Sequence, residues 1–393
     1  MLSLALAGKP NAGKSTFYTA ATMADVEVGN YPFTTIDANR GVSYARTNCP
    51  CLDRDSRCDS DNCQAGKRYV PVDLFDVAGL VPGAHEGRGL GNQFLDQLTD
   101  ANAILHVVDA AGSTNAEGEP IEVGEHDPVE DISFIEEEMD KWLATIISRN
   151  WESIARQSRA PDFDIDEGLA EMLTGIGATE ADVARVLRGL DYPEDPREWT
   201  DEDRTLLATD IRAETKPQIA VANKADIAPD ENIKRLRDAT EEVVPATADG
   251  ELALRRAADA GVIEYDAGDD DFDIVGDIST QQQDGLEQIR DVMGEYGGTG
   301  IQNALDTVVY DLLDHMTVYP VEDETHWTDS QGRMLPDAHL LPSESTPLDL
   351  AYDVHSDIGD GYIHAIDARE GRRISDDHEL SEGDVVKIVS DSS

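Results

Sequence analysis

The chain has 393 residues, of which 82 are Asp or Glu and 31 are Lys or Arg, for a net charge of −51. Hydrophobic residues make up 40%, enough to build cores in two or three domains, and no apolar run is long enough to span a bilayer, so no membrane partner is expected. Such an acid excess counts against broad nucleic-acid binding and leaves room only for local contacts. The acids are spread over patterned helices and strands rather than gathered in tails, which disfavours disorder. A fold adapted to concentrated salt fits better, because a short Debye length screens self-repulsion. That points to the KCl-rich interior of a halophile. The first residues run straight into a motif with no room for a cleaved leader, so a cytoplasmic location is expected.

Leu2, Leu4 and Leu6 alternate as in a short strand, and Thr16 to Thr22 read as the start of a helix. Between them Gly8-Lys9-Pro10-Asn11-Ala12-Gly13-Lys14-Ser15-Thr16 matches G-x-x-x-x-G-K-[ST] in full. A glycine-rich turn between strand and helix lets successive backbone N–H groups face phosphate oxygens. Lys14 then supplies a cation to the β- and γ-phosphates, and Ser15 a hydroxyl to Mg²⁺. Residues 30–39 have no strong periodicity and lie where nucleotide switches keep a segment whose order depends on the γ-phosphate.

Cys49, Cys51, Cys58 and Cys63 are the only cysteines in the chain. Four clustered thiols in a reducing compartment suggest Zn²⁺. Their C-x-C start is tighter than the usual C-x2-C, and a solvated loop of reduced thiols is the other reading. From Arg40 to Arg68 six basic residues stand against four acids, a candidate contact for an anionic partner or a hairpin tip of incidental charge.

Val70, Val72 and Leu74 alternate into Asp76-Val77-Ala78-Gly79, a D-x-x-G. Asp76 at a strand end reaches Mg²⁺ through water, and the Gly79 N–H can sense the γ-phosphate. The glycine-rich run 80–92 reads as a second switch. Ile104 to Val108 form a buried strand ending at Asp109, and Gln218 to Ala222 lead into Asn223-Lys224-Ala225-Asp226, an N-K-x-D. The Asp226 carboxylate can accept from guanine N1–H and the 2-amino group, donors that adenine lacks. The Lys224 stem can pack over the purine, and Thr247 and Ala248 lie where a weaker guanine-contact segment is expected. Four ordered elements, each after a strand, make a P-loop α/β nucleotide-binding domain with a mainly parallel sheet.

Between Asp109 and Asn223 the chain is far longer than one crossover, which implies an inserted helical subdomain. Ile132, Ile135, Met139, Trp142, Leu143 and Ile146 mark one apolar face, Asp166 and Thr179 read as N-caps, and Thr200 opens a last helix to about Ala213. Ile301, Leu305, Val308, Leu312 and Met316 form a connecting helix. Beyond it, strands at Val318–Val321, Tyr362–Ile366, Arg372–Ile374 and Val385–Val389 flank one helix from Thr346 to about Ile358, a small α+β domain. His355 and His364 there are isolated and read as structural or surface residues.

The stretches Tyr31-Pro32-Phe33-Thr34-Thr35 and Asp76 to Leu95 resemble the Obg superfamily of GTPases, and the overall layout looks like its YchF branch and archaeal relatives. The segment Ser345 to Gly359 is similar to a TGS domain, a ubiquitin-like fold. The resemblance implies a GTPase domain over residues 1–300, with a helical insertion at about 128–215, then a TGS-like domain over 301–393; the cysteine hairpin at about 45–68, inside the first domain, is the one stretch it does not cover. The resemblance implies ribosome or RNA as partner through the TGS-like domain; the basic hairpin, by its charge, is the other candidate contact, and a monomer is expected. It carries Phe33, Thr34 and Thr35 to the nucleotide, Ser15 and Thr35 to Mg²⁺ with Asp76 behind them, and Lys14, Thr35 and Gly79 to catalysis. Asn11 matches an Asn that binds K⁺ in some related GTPases, or else braces the loop. YchF itself has a changed base motif and prefers ATP, whereas the intact N-K-x-D here implies GTP. Leu80 stands where Ras-like enzymes place a water-orienting Gln, which implies slow turnover. The alternative is a YchF-type ATPase or nucleotide-binding scaffold in a stress pathway. The charge balance makes a first expectation: the chain should melt cooperatively in molar KCl and lose structure in dilute buffer. Circular dichroism melts across a KCl series check this, and identical melts at both ends would contradict it.

Overall fold

The computed structural model describes residues 1–22, 40–54, 58, 60–77, 98–160, 163–189, 192–193 and 195–391. Strand β1 (Ser3–Ala7) is the centre of the main sheet. Leu4, Ala5, Leu6 and Ala7 are all fully buried, so both faces of the strand are covered, as a parallel sheet between helices requires. Around it lie β2 (Arg40–Asn48), β3 (Cys63–Gln64), β4 (Lys67–Asp76), β5 (Ala103–Asp109), β6 (Gln218–Asn223) and β7 (Val243–Ala246). The order is β2-β4-β1-β5-β6-β7, with β3 paired to β4. The pairs from β4 to β7 are parallel, and β2 and β3 run antiparallel to β4. The carboxyl ends of β1, β4, β5 and β6 therefore share one edge, where a doubly wound sheet binds its ligand.

Helix α1 (Lys14–Thr22) packs Phe17 and Ala21 on one face of this sheet. On the other face lies α2 (Pro128–Gln157), capped by Asp127, whose side chain accepts from the Val129 N–H. Its first half buries Ile135 and Met139 against Ala5, Ala7 and Ile104. Its second half carries a separate core with α3 (Ile165–Leu173), α4 (Glu180–Gly189) and α5 (Asp201–Thr215). The buried stripe there is Leu143, Ile147, Trp151 and Ile154, so Ile147 replaces the expected Ile146 inside. Asp164, not Asp166, caps α3, because its carboxylate reaches the N–H two residues on. Thr179 and Asp182 exchange hydrogen bonds at the start of α4, and Thr200 forms a full capping box on α5.

Beyond β6 come α6 (Asp230–Ala239), α7 (Ala248–Asp259), a small β8–β9 pair (Ile263–Glu264, Asp273–Ile274) and α8 (Thr280–Tyr296). Helix α9 (Ile301–Asp306) widens into a π turn over Thr307–Leu312. Ile301, Ala304, Leu305, Val308 and Val309 lie in the core beneath the main sheet. Met316 belongs not to this helix but to the next strand, since the π turn ends at Leu312 and Asp314 reverses the chain with a φ of 47°.

A second sheet takes β10 (His315–Val321), β11 (His339–Pro342), β12 (Tyr362–Asp367), β13 (Arg372–Ile374) and β14 (Val385–Ser390), in the order β11-β10-β14-β12-β13. The expected single helix is two, α10 (Pro347–Val354) and α11 (Ser356–Asp360), broken at His355, whose backbone is extended and whose side-chain Nδ1 caps the second by accepting from the Asp357 N–H. Helix α10 packs Leu350 against Met316, Val318 and Val386.

The two sheets meet through α9. Asp306 Oδ1 accepts from the Arg46 N–H at 2.6 Å and from Gln302 Nε2 at 2.9 Å. Burial still pushes this carboxyl up to about 7, against the pull of those hydrogen bonds. An ordinary Asp titrates near 3.9 in the unfolded chain. Between those values the native state keeps a proton that the unfolded state has released, so this group's stability is present at low pH and lost as pH rises through about 7. We expect Asp306→Asn to remove that loss, flattening stability against pH by about 2 kcal/mol between about pH 5 and pH 7. Denaturant titrations of both proteins at fixed KCl measure the difference.

Candidate nucleotide-binding site

The loop between β1 and α1 takes positive φ at Gly8, Asn11 and Gly13. At Gly13 a β-carbon would lie only 2.1 Å from Asn223 Nδ2, so this position accepts glycine alone. Ala12 and Lys14 are buried, and Thr16 is half-buried on α1. Lys14 Nζ donates to Gly8 O and Lys9 O, each at 3.0 Å. Burial lowers its pKa, and nearby Asp76 opposes that. An ammonium resting on the loop's own carbonyls is positioned to exchange them for phosphate oxygens.

Ser15 Oγ donates to Asp76 Oδ2 at 2.8 Å, joining the first turn of α1 to the end of β4. Asp76 Oδ1 is buried and has no hydrogen-bond partner among the described residues. A carboxylate oxygen left in that state is costly, and a hydroxyl beside a carboxylate is a donor set that a hard divalent cation accepts. Ser15 and Asp76 thus fit Mg²⁺. Phe33, Thr34, Thr35, Gly79 and the second switch with Leu80 lie outside the described residues.

Asn223, at the end of β6, uses both ends of its amide. Nδ2 donates to Ala12 O at 2.9 Å, and Oδ1 accepts from Ala248 N at 3.0 Å. Thr247 caps α7, accepting from the Gly250 N–H. One side chain therefore holds the phosphate loop, the N-K-x-D turn and the Thr247–Ala248 segment together. Lys224 takes a φ of 63°, and its Nζ donates to Asp109 Oδ2 at 2.9 Å and Ser113 Oγ at 3.0 Å. Its stem is stretched across the floor of the site. Asp226 is exposed.

A loop after β5 leans over the phosphate loop. Lys9 Nζ donates to Thr114 O at 2.8 Å and pairs with Asp131 Oδ2 at 2.9 Å, both residues being buried. Asn11 Nδ2 donates to Gly118 O at 2.9 Å, which ties the phosphate loop to the loop after β5. Gly118 has a φ of 81°, and a β-carbon there would strike Pro10 O at 2.5 Å. The contact needs glycine.

The four cysteines converge, with their sulfurs within 4.8 Å of one another. Of the hairpin's six basic residues, Lys67 is exposed, Arg57 lies outside the described residues, and the other four have partners within the chain. Arg68 is 1% exposed, Arg46 pairs with Asp269, Arg40 with Asp100, and Arg54 lies over Trp327.

Comparison with known proteins decides the family. A model described as "50S ribosome-binding GTPase" matches residues 3–147, one described as "Obg-like GTPase YGR210-like, G4 motif-containing domain" matches 221–323, and a TGS domain model matches 332–390. An uncharacterized GTP-binding protein of Methanocaldococcus jannaschii is 45% identical over 398 residues, covering 99% of both chains. The chain belongs to the Obg-like, YchF-type GTPase family. The crystal structure of a GTP binding protein from Pyrococcus horikoshii is similar throughout, with a TM-score of 0.79, 39% identity, and 99% and 100% of the two chains covered. The ribosome-binding ATPase YchF of Bacillus subtilis is 29% identical over 248 residues, 60% of this chain and 62% of its own.

Three residues of this Obg-like protein's site escaped the sequence reading. Asp109 is fully buried, and Oδ2 also accepts from Ser113 and Thr114; its position at a strand end was the available sign. His106, beside Ala7 in the sheet register, is 1% exposed with neither ring nitrogen partnered among the described residues. Burial, then the charge of Lys14, pushes it down to about 3, so a neutral ring lies under the loop; a lone His in an aliphatic strand was its signal. Asp131 gave none. Its carboxyl is pushed up by burial, opposed by Lys9 and by His126, whose Nε2 lies 2.8 Å from Oδ1. We expect Lys9→Met to destabilise the chain by about 3 kcal/mol, because it strands a buried carboxylate, and Lys9→Met with Asp131→Leu to recover part of that. A double-mutant cycle by denaturant unfolding in KCl reads both values.

Proposed function

We propose that this protein is a Mg²⁺-dependent GTPase that turns over slowly and acts as a nucleotide-driven switch on the ribosome or another RNA assembly in a salt-rich cytoplasm. The observation that carries the guanine preference is the Asn223 bridge. It holds an intact Asn223-Lys224-Ala225-Asp226 turn at fixed distance from the phosphate loop. A purine whose phosphates lie on Gly8–Thr16 then has its edge at Asp226, with the Lys224 stem along its face. The carboxylate pairs with two guanine donors and would face an adenine edge that offers neither, which is the strong form of hydrogen-bond discrimination.

Lys14 holds the β- and γ-phosphates, while Ser15, Thr35 and Asp76 hold Mg²⁺. Bound there, Mg²⁺ neutralises charge that develops on the phosphate oxygens. Thr35 and Gly79 report the γ-phosphate to the two switches. Leu80 cannot orient a water molecule, so intrinsic turnover is slow and another group supplies the missing function. Asn11 Oδ1 is the candidate ligand for a K⁺ beside the phosphates, an ion that stabilises charge there as an arginine finger does.

Support for a ribosomal partner comes from the name of the Bacillus subtilis relative and from the TGS domain. With Arg40, Arg46, Arg54 and Arg68 of the hairpin already partnered within the chain, the TGS domain is the better candidate contact. Two measurements test the reading. Asp226→Asn should weaken GTP at least about a hundredfold and admit xanthosine triphosphate, whose 2-oxo group suits an amide donor; equal displacement of labelled GTP by ATP from the wild type would instead favour a YchF-type ATPase. Co-sedimentation with ribosomal subunits should differ between GDP and a non-hydrolysable GTP analogue, and a nucleotide-independent result contradicts the switch.

A further inference from the structure

The cysteine cluster serves no part of nucleotide chemistry, and its geometry is specific. Cys49 follows β2, Cys51 lies in the short turn Pro50–Asp53, Cys63 opens β3, and Cys58 comes from the segment between. Cys49 Sγ is 3.8 Å from Cys58 Sγ, Cys51 Sγ is 3.8 Å from Cys63 Sγ, and all four sulfurs lie within 4.8 Å of one another. A disulfide needs about 2.05 Å. Four thiolates at the Zn–S distance of about 2.3 Å on a tetrahedron stand about 3.8 Å apart. Two pairs already have that edge length, and every other pair lies within about 1 Å of it. We propose that Cys49, Cys51, Cys58 and Cys63 form a structural tetrathiolate zinc site.

The surroundings suit its charge. Four thiolates around Zn²⁺ leave a net charge of −2, which is expensive to bury without a counter-charge. Arg68 supplies one. It is 1% exposed, and its Nη2 lies 3.8 Å from both Cys49 Sγ and Cys58 Sγ. N–H donors to ligand sulfur are the usual outer shell of such a centre. The same guanidinium donates to Leu335 O at 2.5 Å and to Pro336 O at 3.4 Å, which are backbone groups of the TGS side. Cys49 and Cys51 also pack with Tyr319, Trp327, Met334 and Leu335. The zinc therefore does more than close a hairpin. It sets the rigid face onto which the C-terminal domain docks, with Arg68 acting as a positioning residue that links metal charge to the second domain.

The test uses the full chain, purified in molar KCl under reducing conditions with no added metal. Elemental analysis should find about one zinc per chain, and Co²⁺ exchanged into the wild type should give the intense red-region bands of a tetrahedral tetrathiolate. Cys58→Ser should lose the metal and those bands; because that variant could also misfold, the wild-type stoichiometry and cobalt spectrum decide by themselves. Removing zinc with a chelator should raise amide exchange about tenfold in the hairpin and in β10 together, while the edge strand β7 stays protected. Folded wild type holding less than about a tenth of an equivalent of zinc, or holding iron instead, or lighter by four hydrogens as two disulfides, would each overturn the assignment.

Discussion

A single amide side chain sets the geometry on which nucleotide recognition depends. Asn223 donates a hydrogen bond to Ala12 O and accepts one from Ala248 N, so the spacing between the phosphate loop and the N-K-x-D turn is held by two buried hydrogen bonds. Neither bond is replaceable by a hydrophobic side chain, since each buried backbone group would lose its partner. Gly13 exists for the same reason, because its missing β-carbon is the space that Asn223 occupies. Around this bridge, Asp109 fixes Lys224 from below, while Lys9 and Asn11 tie the loop after β5 to the phosphate loop. The site is a set of loops cross-braced by buried polar contacts on the edge of a rigid parallel sheet.

Much of this was legible in the sequence because it is local. The phosphate loop, D-x-x-G and N-K-x-D each follow a short apolar strand, and each strand was expected where β1, β4 and β6 are found. The sheet class, the helical insertion and the small C-terminal α+β unit follow from hydrophobic period and capping residues. What escaped is long-range. Asp131 meets Lys9 across 122 positions of chain, and nothing near Asp131 distinguishes it from other acids on α2. Strand β11 carries His339 and Pro342 and lacks the alternation that marks a strand. The π turn at Thr307–Leu312 keeps helical spacing of apolar residues, so Met316 reads as one more helical position although the chain has already turned. The basic hairpin was legible only in part, for a related reason. Composition counts charges but does not show that Arg46 and Arg68 find their partners in distant segments.

The acid excess and the bridge between domains pull in opposite directions. A net charge of −51 drives parts of the chain apart unless salt screens it. Several contacts between the first domain and the second sheet's domain are buried, and salt weakens those least: the Arg68 guanidinium on carbonyls of residues 335 and 336, and an apolar cluster around Trp327. Screened repulsion and unscreened buried contacts together let a strongly acidic chain keep two domains in register.

Helix α2 has thirty residues, about 45 Å of rigid rod. Its base is bonded to Lys9 of the phosphate loop through Asp131, and its far half carries the insertion's own core. Such a rod is a lever. A tilt of about 5° at the base would sweep the tip through roughly 4 Å, so the rod's geometry magnifies at the insertion any small shift beside Lys9.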